Sequence, residues 1–160
     1  GLDMCRKKNG LIGCLLLVLS ATVSAETGVS LSQSTIKSRV GATVSVDVLM
    51  SDFPNTEGGG VEVHFNPDLV KVNSVVVDES TWTFVNRNGD IDNSAGTVTG
   101  IVFSNFGGVS GNARIATIEL EFVANGKGSI VLSESDNNPF ASNGEALAVN
   151  FNPTRIQVRR

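Results

Sequence analysis

The chain predicts an all-β protein, a single antiparallel β-sandwich, on three observations. Apolar and polar residues alternate with period two in several short segments. No long segment carries apolar residues at helical spacing. Clusters of Gly, Pro, Asn and Asp punctuate the segments at short intervals. One-sided alternation of this kind suits two sheets packed face to face, each with one wet surface.

The elements follow in order. Residues 29–36 read as a first strand. In 43–50, Val44, Val46, Val48 and Met50 share one face, and Thr43, Ser45 and Asp47 the other. In 60–65, Val61, Val63 and Phe65 point inward, and Glu62 and His64 outward. Residues 69–77 and 97–104 follow. In 116–122, Ala116, Ile118, Leu120 and Phe122 point inward, and Thr117, Glu119 and Glu121 outward. Residues 129–133 and 154–158 complete the stronger set, while 82–85 and 147–151 carry weaker strand patterns. Turns are expected at 52–55, 66–68, 88–90, 93–96, 107–108, 125–126 and 136–139. The count is eight to ten short strands in one domain, with no internal repeat.

The first 25 residues have a different character. Arg6, Lys7 and Lys8 precede the apolar run 11–18, which is too short to span a bilayer, and Val23-Ser24-Ala25 places small residues at a cleavage position. Residues 4–25 therefore read as a secretory signal peptide cleaved near Ala25, which makes the domain 26–160 extracellular. Leu11-Ile12-Gly13-Cys14 also matches the pattern before a lipidated cysteine. However, the apolar run lies mostly after Cys14, so lipid anchoring there is the weaker reading.

Cys5 and Cys14 both fall in that leader, so residues 26–160 contain no disulfide, thiolate metal site or cysteine nucleophile. A 135-residue domain buries about two thirds of its unfolded surface, enough for one core. These residues carry nine basic and fifteen acidic side chains, a net charge of −6, which disfavours nucleic acid as a partner.

The strand-turn-strand unit 61–77 reads Val61, Val63, Phe65, Asn66, Pro67, Leu69, Val72. This apolar-x-apolar-x-Phe-Asn-Pro-x-Leu-x-x-Val run resembles the third and fourth strands of cohesin domains. The stretches at 40–44, 92–98 and 114–123 are similar to other strands of that family, so the resemblance spans 29–158. It implies a jelly-roll sandwich of about nine strands, in a superfamily that also holds carbohydrate-binding modules. It implies a non-catalytic module that binds dockerins, calcium-loaded helical domains, in polysaccharide-related extracellular assemblies. By that resemblance the partner-binding positions are Gly58 and Gly60 on the third strand, where Gly58-Gly59-Gly60 offers backbone groups only. Glu62, His64 and Val102 join them, with Thr97, Thr99 and Gly100 as further outward candidates. A polysaccharide is the alternative ligand, with Trp82, the sole tryptophan, as a stacking platform if it faces solvent.

No catalytic set emerges. His64 is the single histidine and its strand neighbours supply no triad. Glu119 and Glu121 share a strand face, which an acidic solvated strand explains without glycoside chemistry. Gly107-Gly108-Val109-Ser110-Gly111 lacks the lysine and the helix of a phosphate loop. No cofactor is called for. Calcium is the one ion that two oxygen-rich turns could take, around Asp90, Asp92 and Asn93 and around Glu134, Asp136, Asn137 and Asn138, with ordinary turn chemistry as the competing reading.

Overall fold

The computed structural model describes residues 26–160, so the leader and Cys14 lie outside the described residues. The described residues hold eleven strands and no helix, and therefore no helix able to cross a membrane. In order they are β1 (Gly28–Leu31), β2 (Thr35–Arg39), β3 (Thr43–His64), β4 (Val70–Val77), β5 (Arg87–Asp92), β6 (Thr97–Phe122), β7 (Gly126–Glu134), β8 (Ala141–Ser142), β9 (Glu145–Ala146), β10 (Asn150–Phe151) and β11 (Thr154–Arg159).

Two long strands organise the molecule. β3 and β6 pair antiparallel from Thr43 opposite Glu121 to His64 opposite Thr97. The register shifts repeatedly between Met50 and Gly58, and there the ribbon bends. Asp52 has a φ of 58° in this bend. Bulges of this kind turn a ribbon from one layer into the next. The turns expected at 52–55 and 107–108 thus lie inside continuous, bulged strands. Pro54 is tolerated because a bulge does not demand its missing N–H.

The bend separates two layers. One is built from β4, residues 113–122 of β6, residues 43–50 of β3, then β1 and β10. The other is built from β5, residues 97–104 of β6, residues 58–64 of β3, and residues 131–134 of β7. β7 leaves this second layer through residues 126–130, which pair with β11, and β11 pairs in parallel with β2. The expected strand at 29–36 is accordingly two strands, broken at 32–34 so that each half joins a different neighbour. Residues 87–92, read partly as a turn, form β5. Residues 82–85 form no strand.

The alternation expected in 43–50, 60–65 and 116–122 is realised. Val46, Val48, Met50, Val61, Val63, Ile118, Leu120 and Phe122 all lie in one continuous core. Phe53, Phe103 and Phe140 close one end of it, with ring centroids 5.4 Å apart for both Phe53–Phe140 and Phe103–Phe140. Among the described residues no buried side-chain polar atom lacks a hydrogen-bond partner. Buried Thr56 donates to the carbonyl of Pro54 and buried Thr154 to that of Gln33. This accounting is what a core without disulfides requires.

Candidate functional site

The second layer turns its outer surface to solvent, and its register decides which side chains share it. His64 stands opposite Thr97 on one side and Val131 on the other, and Glu62 opposite Ser133. Val102 lies between Gly60 of β3 and Arg87 of β5. Glu62, His64, Val102 and Val131 therefore share one outward face. His64 Nε2 sits 3.5 Å from Glu62 Oε1, with the histidine side chain 46% exposed. Val131 is also 46% exposed, an aliphatic group beside the histidine. Thr97 and Gly100 are half-buried and Thr99 is exposed on the same stretch of β6.

Two expected site residues are placed differently. Gly60 does not present open backbone. It is buried, and a Cβ there would approach Asn138 Cβ to 2.7 Å and Ser135 Cβ to 2.8 Å. The segment 135–139 crosses over it, held by a hydrogen bond from the Ser135 N–H to the Gly60 carbonyl at 2.9 Å. Gly59 is equally constrained, since its Cβ would meet the Phe140 ring at 2.8 Å. Gly58 is half-buried, with Ser104 on one side and Ala141 of β8 on the other. The glycine run is thus a packing device that lets a loop and an aromatic ring lie against the strand.

Trp82 is 0% exposed and cannot act as a solvent-facing platform for sugar. Its indole stacks edge-on against Phe103 at 4.7 Å, and its Nε1–H donates to the Arg114 carbonyl at 3.0 Å. The turn 78–82 delivers it to the core. Asp78 accepts from the Ser80 hydroxyl, the Thr81 hydroxyl and the Ser80 N–H, and the Trp82 N–H donates to the Asp78 carbonyl. The Ser80 hydroxyl is the main reason the Asp78 carboxyl sits below the ordinary carboxylate range. Thr81, the Ser80 N–H and the Arg114 guanidinium 3.5 Å away add to it, against an opposing contribution from burial.

The sequence reading missed two exposed aromatics. Phe84 is 64% exposed and Phe106 85%, with ring centroids 5.8 Å apart in an edge-on contact. Both adjoin Ser104, at the Gly58 end of the outward face. The Phe84 N–H donates to the Ser104 carbonyl, and the Ser104 hydroxyl donates to the Val85 carbonyl. Asn105 Nδ2 donates to Thr81, and Asn55 Nδ2 to Gly107. The loops carrying the pair are therefore tied to the body. The available signal was Phe106 standing directly before Gly107-Gly108, a large apolar residue in a turn-like segment.

Asp92, Asn93 and Glu134 of the oxygen-rich turns bond within the fold. Asp92 Oδ1 accepts from the N–H groups of Ser94 and Ala95, and Asn93 bridges the N–H and carbonyl of Val72 on β4. Glu134 Oε2 accepts from the Phe140 N–H. Among the described residues no three His, Cys, Asp or Glu side chains gather as a metal site. Glu119 and Glu121 lie on the first layer, where Asn73 Nδ2 donates to both.

No protein-family model matches the chain, and no curated protein matches it by sequence. Solved structures do match it in three dimensions. It is similar to a non-cellulosomal cohesin from the hyperthermophilic archaeon Archaeoglobus fulgidus, with a TM-score of 0.70 and 11% identity over 85% of this chain and 93% of that one. It is similar to the third ScaC cohesin of Acetivibrio cellulolyticus, solved in complex with the ScaB dockerin, with a TM-score of 0.64 and 19% identity over 84% and 99%. It is also similar to the OlpA cohesin of Clostridium thermocellum, solved in a type I cohesin–dockerin complex, with a TM-score of 0.66 and 10% identity over 84% and 99%. The chain has the jelly-roll β-sandwich fold of these cohesins.

Proposed function

We propose that the domain is a secreted, non-catalytic binding module that docks another protein on the outward face of β5, β6, β3 and β7. The observation that carries this reading is the composition of that face. Val102, Val131, Phe84 and Phe106 supply apolar and aromatic anchors on rigid elements, and Glu62 and His64 supply polar contacts between them. Exposed aromatics on fixed backbone are the usual hot spots of protein interfaces, and such groups seldom stay exposed without a partner. Among the structural relatives, several are cohesins solved bound to dockerins, which supports a compact helical partner of that type. Residues 4–25 direct the export, and cleavage near Ala25 releases residues 26–160.

The test is capture of secreted proteins of the source organism by immobilised residues 26–160, with and without a calcium chelator. The expected result is one protein retained only with calcium, and lost on Val131→Glu or Phe106→Ser while the fold is kept. Retention that survives both substitutions would remove this face from the reading. Retention of neutral polysaccharide and of no protein would replace the protein-binding function.

A further inference from the structure

The small sheet formed by β2, β11 and the first half of β7 carries a charge opposite to that of the molecule. Its inward positions, Ile36, Ile130, Ile156 and Val158, are core residues. Its outward positions fall into register rows. Ser129, Arg155 and Thr35 form one row, Lys127, Gln157 and Lys37 the next, and Arg159 with Arg39 the last. These eight positions hold five cations, three neutral hydrogen-bonding side chains, no acid and no apolar group. A chain with a net charge of −4 thus concentrates five of its twelve basic residues on one face. Among the described residues none of the five lies within ion-pair distance of an Asp or Glu side chain. Arg39 Nη1 donates to the Arg160 carbonyl at 2.8 Å.

The shape suits an extended chain. Two shallow depressions of about 470 and 240 Å³ lie on this face and share Gln157. They follow one another along β11, the first lined by Arg155 and the second by Arg159. Across strands Arg159 and Arg39 are neighbours about 5 Å apart and Lys127 and Lys37 flank Gln157 about 10 Å apart, while along the strands Lys37 and Arg39 are about 7 Å apart and Arg155 and Arg159 about 13 Å.

We infer that this face binds a linear, carboxylated polysaccharide, independently of the protein-docking surface described above. Charge complementarity calls for a polyanion, and the guanidinium fork matches a carboxylate in two parallel hydrogen bonds. Thr35, Ser129 and Gln157 match sugar hydroxyls between the charges. The face lacks the apolar centre of a protein interface and the hydrophobic residues that anchor a protein in a membrane surface. It has no aromatic on which single-stranded bases could stack and no projecting element to enter a duplex groove.

The test is the affinity of residues 26–160, whose core is complete in itself, for fluorescently labelled oligogalacturonate. Dextran, dextran sulfate of matched charge density, single-stranded DNA and phosphatidylglycerol vesicles serve as comparators. The expected result is saturable binding to oligogalacturonate that weakens at least tenfold between about 50 and 300 mM salt, as counterion release predicts. Lys37→Glu with Arg155→Glu should weaken it at least tenfold, with the buried-tryptophan emission of Trp82 unchanged, and Phe106→Ser should leave it unaltered. Absence of binding, or equal binding by the charge-reversed variant, would overturn the inference. Dextran sulfate, DNA or vesicles bound at least as tightly would overturn the assignment to carboxylated sugar.

Discussion

Single residues explain why this chain needs no covalent cross-link. Trp82 fills the end of the core and also satisfies the Arg114 carbonyl, so two losses combine when it is removed. Trp82→Ala is expected to destabilise the domain by about 3–5 kcal/mol, and Trp82→Phe by less, read from chemical denaturation. Because the chain has one tryptophan and no tyrosine, emission should be blue-shifted when folded and move red in a single transition. Gly60 acts by what it lacks. Gly60→Ala sets a methyl against Asn138 and Ser135, and a melting temperature lowered by several degrees would report the displaced crossing loop. Asp78 gives a pH signature. Its folded pKa lies below the ordinary 3.8, so its contribution is complete above that value and is lost as the pH falls through the folded pKa. Asp78→Asn should therefore cost about 1 kcal/mol near neutrality, with the gap to the parent closing below pH 3.8 in acid titrations of stability.

At the scale of elements, the β3–β6 ribbon does what separate short strands would otherwise do. Its bulged centre carries Phe53 into the core and Phe106 out to solvent within one continuous pairing. Phe106→Ser removes no core contact and should change stability by less than about 0.5 kcal/mol while abolishing capture of a partner that docks there. A variant that loses stability and binding together would show that the Phe84–Phe106 contact is structural. β7 has two roles. Its second half completes the outward face through Val131, and its first half joins β11 to build the basic sheet.

For the whole molecule, the −6 charge of residues 26–160 is unevenly spread, with five of their nine basic residues and no acid on the outward positions of the β2–β11–β7 sheet. One continuous core spans both layers, so unfolding should be a single cooperative step by calorimetry and fluorescence, unchanged by a reducing agent. Non-coincident transitions would place the basic sheet in a separately stable unit.

The period-two pattern by itself determined the fold class and the inward residues of the main strands, because burial selects alternate side chains wherever a strand has one wet face. The Phe65-Asn66-Pro67 turn was legible for the same local reason. What only the tertiary structure decided depends on contacts between distant segments. Pairing partners converted two expected turns into bulged strand, since hydrogen bonds to a neighbour outweigh turn propensity. Trp82 went inside and Phe84 outside because the 78–82 turn and Ser104 set their directions, and no local pattern encodes that. Gly60 was covered by residues 75 or more positions away. The basic face formed because three strands from opposite ends of the chain met in register, which brings charges scattered along the sequence to within one side-chain length of each other.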